Sequence, residues 1–308
     1  YTGTSKITLK PNFVRSGASI TVNVNRNGSK ATETINVTLT GPSGYAKTVS
    51  GITSGTAVFD SLATAGRYTA GVDGWTTSGS ETKSASITAS YADQTITLNY
   101  FDYHFNANKP TGAAGTVGNV PADPTAPVLT GASVTAPTGT PTLTGYTFKG
   151  WATSATGTPI TWPATITAET TFYAIWDADT INLSTGSGQG ANGVNKIINF
   201  TSPAASGTGH TASDFTYTVE GGSTSTKDGV TITAGASGFT ATGTPTRVAA
   251  AGNEITFNVK AVSKLNGQEA SSTIKITVEP TFTVKYEWNA PSGVTISDAV
   301  PTDSNRYI

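Results

Sequence analysis

Two histidines, no cysteine and 19 acidic side chains make up nearly all the catalytic and metal-binding chemistry that these 308 residues could supply. His104 sits in an alternating stretch, Tyr103-His104-Phe105, and faces away from its aromatic neighbours. His210 sits in a run of Gly, Ser and Thr. A zinc site or a nucleophilic triad needs partners at ligand spacing, and neither histidine has them nearby in sequence. Both are expected to be exposed or hydrogen-bonded structural residues. Asp177 and Asp179 alternate at a junction and could join Asp214 or Asp228 around calcium, which takes six to eight oxygens. No full Asp-x-Asp-x-Asp-Gly loop is present, so a polar linker is the expectation.

Other chemistry is weaker still. Lys10 or Lys196 could form an internal isopeptide bond with Asn99 or Asn258, given a carboxylate in an apolar pocket beside them. Strand lysines are ordinarily solvated. Glycoside hydrolysis needs two carboxylates facing each other across a cleft, whereas these acids lie singly in turns and strand ends. Asn27, Asn36, Asn182 and Asn199 open Asn-x-Ser/Thr acceptors, which matter only where the source glycosylates its surface proteins. The sequence thus predicts no enzyme, no catalytic, cofactor-binding or metal-ligating residue, and no cofactor.

The elements that would position any site are β-strands. Val and Ile number 39 against 8 Leu, and β-branched side chains suit pleated, half-buried surfaces. No long stretch repeats apolar residues at helical spacing. Charged residues make up 12% and the net charge is -1, with no cluster of Lys and Arg to displace counterions, so nucleic acid is not a partner. No apolar run reaches about 18 residues, so no membrane insertion is expected within this chain. Lack of cysteine excludes disulfides and thiolate chemistry, and modules near 100 residues bury enough surface to fold without them. The absence of Met and the start at Tyr1 are read as a processed chain or a fragment.

Residues 1-98 carry about seven short alternating segments, such as Ile20/Val22/Val24 and Ile35/Val37/Leu39, separated by turns like Arg26-Asn27-Gly28-Ser29 and Thr77-Ser78-Gly79-Ser80. That count in about 100 residues predicts an immunoglobulin-like β-sandwich. Residues 177-280 repeat the pattern, most clearly where Ile255/Phe257/Val259 and Ile274/Ile276/Val278 each share a face. Residues 281-308 open a new alternation at Phe282/Val284/Tyr286 and end without a closing strand. They are read as the first strand of a further repeat, or as a donor strand completing a neighbour's sheet.

Between the sandwiches, residues 99-176 concentrate aromatic side chains. A first strand, Tyr103 to Asn108, leads through a Gly/Pro/Ala/Thr-rich connection (109-141) to a closing half. That half holds Tyr146, Phe148, Trp151, Trp162, Phe172, Tyr173 and Trp176, seven large aromatics within 31 residues. So small a unit needs most of those rings inside, which favours a core over a sugar-stacking platform. The segments Gly145-Tyr146-Thr147-Phe148-Lys149-Gly150-Trp151 and Thr170-Thr171-Phe172-Tyr173-Ala174-Ile175-Trp176 resemble the Listeria–Bacteroides repeat, the B-repeat of internalin-type proteins. The resemblance implies a small β-grasp-like fold, a place in cell-envelope proteins, and no catalytic residue. The connection is longer and more Pro-rich than is usual in that family. The stretches 59-68 and 239-246 likewise resemble bacterial immunoglobulin-like surface domains.

The expected whole is an all-β chain of tandem immunoglobulin-like sandwiches in an extended array, with a small β-grasp-like module in the middle. Its expected role is a non-catalytic stalk or adhesin region outside a bacterial cell, at the surface or cell wall. Host or neighbouring-cell surface proteins or glycans are the expected partners, with self-association as another. A self-assembling filament or surface-layer subunit, and the accessory region of a secreted carbohydrate-active enzyme, are the alternatives.

Overall fold

The computed structural model describes residues 16–75, 83–246, 253–287, 289, 291–295 and 302–307; Lys10 and the turn at 77–80 lie outside them. The protein is all-β. Among the described residues the helical turns are two 3-10 segments, Pro42–Gly44 and Ala212–Asp214, and no helix is long and apolar enough to cross a membrane. The chain forms two compact units. One comprises Tyr1–Asn108, Asn119–Pro141 and Lys149–Ile175, and the other Lys109–Gly118, Thr142–Phe148 and Trp176–Ile308.

The first unit contains a two-sheet sandwich. In one sheet the strand Ala18–Arg26 runs parallel to Gln94–Phe101 and antiparallel to Thr56–Leu62. The other sheet orders Ala46–Ile52, Ile35–Thr40, Gly66–Val72 and Lys83–Ile87. Alternation does the sorting: Ile20, Val22, Val24, Ile96 and Leu98 meet Val37, Leu39, Tyr68, Val72 and Ile87 in one buried core. Tyr68 is 1% exposed, and its hydroxyl donates to Thr64 O at 3.0 Å. This is the tyrosine-corner geometry of immunoglobulin-like sandwiches. Gly41 permits it, because a Cβ there would lie 2.3 Å from the Tyr68 ring.

The connection at 109-141 is not a free loop. Val128–Leu129 pairs antiparallel with Phe101 and Tyr100, adding a short strand to the first sandwich, and both side chains are buried. Ala132–Val134 pairs with Ala164–Ile166. No helix occurs among these residues. The aromatic repeat itself is a three-stranded sheet ordered Tyr146–Ala152, Thr170–Ala178, Tyr103–Asn106, in which the last two run parallel.

The second unit holds the other sandwich. Its larger sheet orders Ile197–Thr201, Gly186–Ala191, Glu269–Glu279, Glu254–Ser263 and Phe215–Val219. As in the first sandwich, an early strand (186–191) lies parallel to a late one (269–279). Ile255, Phe257, Val259, Ile274, Ile276 and Val278 are all at most 2% exposed, as their spacing predicts. A smaller sheet of Thr224–Lys227, Val230–Gly235 and Gly238–Gly243 accompanies it.

Two features depart from the sequence reading. Gly186-Ser187-Gly188-Gln189-Gly190 looks like turn punctuation but forms a strand. A Cβ on Gly186 or Gly190 would lie 2.5 Å from Pro203 or Pro245, and one on Gly188 would lie 2.8 Å from Ile276, so the glycines make room for larger side chains across one face. The second departure is at the C-terminus. No closing strand was expected there, yet Phe282–Lys285 pairs antiparallel with Thr302–Tyr307.

Candidate functional site

The polar side chains gather where each sandwich meets part of the aromatic repeat, and turn residues position them. In the first unit, Asn27 and Gly28 both have positive φ (49° and 81°), the backbone of a tight hairpin turn after strand 18–26. That turn aims Arg26 and Asn27 at Asp102, the single residue between strands 94–101 and 103–106. Arg26 grips the carboxylate in a fork, Nε to Oδ2 and Nη2 to Oδ1, both at 2.8 Å. Asn27 Nδ2 donates to Oδ2 at 2.7 Å, and Asp102 N donates back to Asn27 Oδ1 at 2.9 Å. Arg26 also reaches Glu33 at 2.8 Å and lies over the Trp75 ring at 5.6 Å.

Burial alone would raise the Asp102 carboxyl, but Arg26 and Asn27 outweigh it and hold the group below its ordinary value. A depressed carboxyl contributes stability that is present above its unfolded value, about 4, and is lost as pH falls through the folded value. The urea midpoint of the chain is therefore expected to drop below about pH 4, with a shallower acid slope in Asp102→Asn. Equal slopes in the two proteins would contradict this assignment.

In the second unit the mirror role falls to Asn266, in the turn between strands 254–263 and 269–279. Its Nδ2 donates to Gly145 O and to Asp179 O, both at 2.8 Å, and its Oδ1 accepts from Gln268 N at 3.0 Å. Around it, Asp179 N donates to Gly145 O at 2.9 Å, Ala114 N to Leu265 O at 3.0 Å, and Thr147 Oγ1 to Asp179 Oδ1 at 2.6 Å. Asn266→Ala removes three bonds at a part-buried site and is expected to cost about 2–3 kcal/mol in urea unfolding. Asn266→Asp keeps the shape but turns a donor into a charged acceptor facing two carbonyl oxygens, so it is expected to be the worse variant. Parental stability in Asn266→Asp would exclude the clamp.

Both histidines are hydrogen-bonded within the fold. His104 Nδ1 bonds Asp123 Oδ2 at 2.9 Å, its Nε2 lies 3.7 Å from Glu169 Oε1, and Asp123 Oδ1 also accepts the Phe105 N–H. The Asp123 bond raises the His104 value, so this contribution fades as pH climbs through it. His210 stacks on Phe215 at 5.2 Å. Its Nδ1 donates to Thr208 O at 2.8 Å, which leaves Nε2 to accept from Ser263 Oγ at 2.7 Å. A Ser-His pair invites a nucleophile reading. Here Ser263 is 2% exposed, and its oxygen already accepts the N–H groups of Leu265 and Asn266.

The remaining sequence candidates are not assembled into sites. Asp179 is engaged by Thr147, and Asp214 accepts from Thr211 N and Oγ1 within its own turn. Among the described residues no three His, Asp or Glu side chains are placed to hold a metal. Lys196 is exposed, Asn99 accepts from Asn25 Nδ2, and Lys10 is outside the described residues. The fold does place a different Lys-Glu-Asn set together, which sequence spacing did not reveal. Lys227 Nζ donates to Glu220 Oε1 at 2.7 Å, and Asn258 Nδ2 lies 3.5 Å from Oε2. Lys227 holds the Glu220 carboxyl below its ordinary value, and the two side chains are 38% and 29% exposed. The set is a surface ion pair.

The aromatic cluster is a core. Trp151 and Phe172 are 3% and 1% exposed, and Phe172 packs against Phe105 at 5.7 Å, Trp162 at 5.0 Å and Tyr103 at 6.1 Å. Those two rings are closed to a sugar, whereas Tyr146, Phe148, Trp162, Tyr173 and Trp176 are half-buried, so fewer of the seven lie fully inside than the small size of the module suggested.

Residues 103–175 match the family model of the Listeria-Bacteroides repeat domain. No curated protein matches the chain. Among solved structures, the chain is similar to the pilus adhesin SpaC from Lactobacillus rhamnosus GG in its open conformation, at 11% identity, TM-score 0.27, over 87% of this chain and 44% of that one. It is similar to mouse Protocadherin-24 EC1-3 at 13% identity, TM-score 0.26, over 90% of this chain and 100% of that one. It is also similar to human CDH23 EC21-23 at 12% identity, TM-score 0.24, over 46% of this chain and 48% of that one. The chain thus spans less than half of the SpaC and CDH23 structures, at 44% and 48%. Overlaps of this size carry no weight for ligand or activity, and the sandwich assignment rests on the strand pairing described above.

Proposed function

We propose that this chain is a non-catalytic spacer in a bacterial cell-surface protein, outside the cell, made of two immunoglobulin-like sandwiches with a Listeria–Bacteroides repeat between them. The pair of Asn-Gly turns carries the reading. One sandwich clamps the residue where the repeat starts, Asp102, and the other clamps the residue where it leaves, Asp179. Enzymes leave polar groups available to reactants, whereas these are spent on one another and on main chain. Clamps of this kind suit a segment that holds an adhesive tip at a distance, or that joins in adhesion itself.

Small-angle scattering on the full chain tests it. A compact globule of this length would have a radius of gyration of about 19 Å, and a spacer is expected to lie well above that. A value near the globular one would end the proposal. The rival reading, a self-assembling subunit, is favoured by the exposed Val284 and Tyr286 in the terminal hairpin. It requires polymers that grow with concentration in sedimentation runs, where the spacer stays monomeric.

A further inference from the structure

The C-terminal hairpin repeats the opening of the aromatic module in sequence. Phe101, Tyr103, Phe105, Asn108, Pro110 and Gly112 return as Phe282, Val284, Tyr286, Asn289, Pro291 and Gly293, with every spacing kept. Val120-Pro121-Ala122-Asp123 then returns as Val300-Pro301-Thr302-Asp303, one residue nearer. The matched family segment ends at residue 175 and does not include this stretch.

The two copies differ in what covers them. In the complete module, strand 103–106 runs parallel to 170–178, and the rings of Tyr103 and Phe105 pack on Phe172, with Phe105 also 5.0 Å from Trp151. The corresponding Val284 and Tyr286 stand 42% and 48% exposed. A segment bearing the repeated Asp lies against the strand in both copies. Phe105 donates its N–H to Asp123, so the Val-Pro-x-Asp segment lies along the edge that strand 170–178 does not use. In the hairpin, strand 282–285 pairs antiparallel with 302–307, the segment that carries Asp303. Among the described residues, the face bearing Val284 and Tyr286 is exposed.

We infer that residues 282–303 are the opening half of a second repeat, and that the face bearing Val284 and Tyr286 is a docking surface for a closing half of the same type. The occupant is a parallel strand carrying a large aromatic and a small residue two apart, as Phe172 and Ala174 do, together with a Gly-Trp element like Gly150-Trp151. A second copy of this chain has no such half to offer, because its own is filled by Tyr103 and Phe105. The inference rests on the register and the exposure, not on the spacer reading.

The test is the full chain extended after Ile308 by a second copy of residues 124–176. Hydrogen exchange at 282–287 is expected to slow at least tenfold. The slowing should vanish when the appended equivalents of Trp151 and Phe172 are serine. Fast exchange at 282–287 with the appended segment digested by protease would overturn the inference. So would a dimer of the unextended chain that Tyr286→Ser abolishes, because that would make a second copy the occupant. Neither result depends on the scattering outcome.

Discussion

Phe172→Ala is expected to unfold the aromatic repeat while the cores of the two sandwiches persist. Phe172 is 1% exposed and is the ring on which Tyr103, Phe105 and Trp162 converge. Deleting a buried phenylalanine costs about 3–5 kcal/mol, part transfer and part cavity. A unit of this size holds only about 4–11 kcal/mol in total, so the loss takes much of its stability. Tyr173, next in sequence and half-buried on the other side of the strand, supplies the contrast: Tyr173→Ala should cost about 1 kcal/mol. In a Trp75→Phe, Trp288→Phe background, tryptophan fluorescence follows the repeat during urea unfolding, since Trp151 and Trp162 belong to the same cluster. An unchanged fluorescence transition in the Phe172 variant would refute the cluster as the core of this module.

Gly229→Ala carries the second large effect, in the other unit. Its φ is +77°, and a Cβ would lie 2.0 Å from the carbonyl oxygen of Thr244, which is backbone and cannot swing aside. The neighbouring chain is fixed as well, because Thr246 N donates to Asp228 O at 3.0 Å and Val230 is fully buried. Left-handed backbone alone costs an L-residue about 1–2 kcal/mol. The clash adds to it, so a loss of about 3 kcal/mol or more is expected in the urea midpoint of the second sandwich. Gly221→Ala isolates the first term, because Gly221 has φ +82° with nothing within 4 Å of a Cβ. Equal destabilisation by the two substitutions would show that the Thr244 contact relaxes freely.

Much of the fold was legible because a half-buried strand writes its face into every second residue. The Val and Ile alternations marked the core of both sandwiches, and the aromatic spacing marked the repeat. What stayed hidden shared one cause, partners far apart in sequence. Asn266 bonds residues 121 and 87 positions away, and Asn27 reaches Asp102 across 75, so neither turn looked different from any other Asn-Gly turn. The strand 186–191 was missed because its faces are encoded by what fills them, Pro203, Ile276 and Pro245, and not by side chains of its own. The hydrogen bonds of the two histidines were hidden in the same way. Their local sequence offers no ligand set, and the partners that folding supplies, Asp123 and Ser263, are already occupied.

The short strand at Val128–Leu129 restricts how this gene can be rearranged. It seals the border of Gln94–Phe101 with two buried aliphatic side chains, although it comes from within the stretch that joins the repeat's two halves. A deletion of residues 102 to 176 would strip that border and leave unsatisfied main chain next to apolar surface, a template for aggregation. Recombination that shuffles such segments would keep the first sandwich and the repeat as one inherited cassette, joined to whatever follows beyond Trp176.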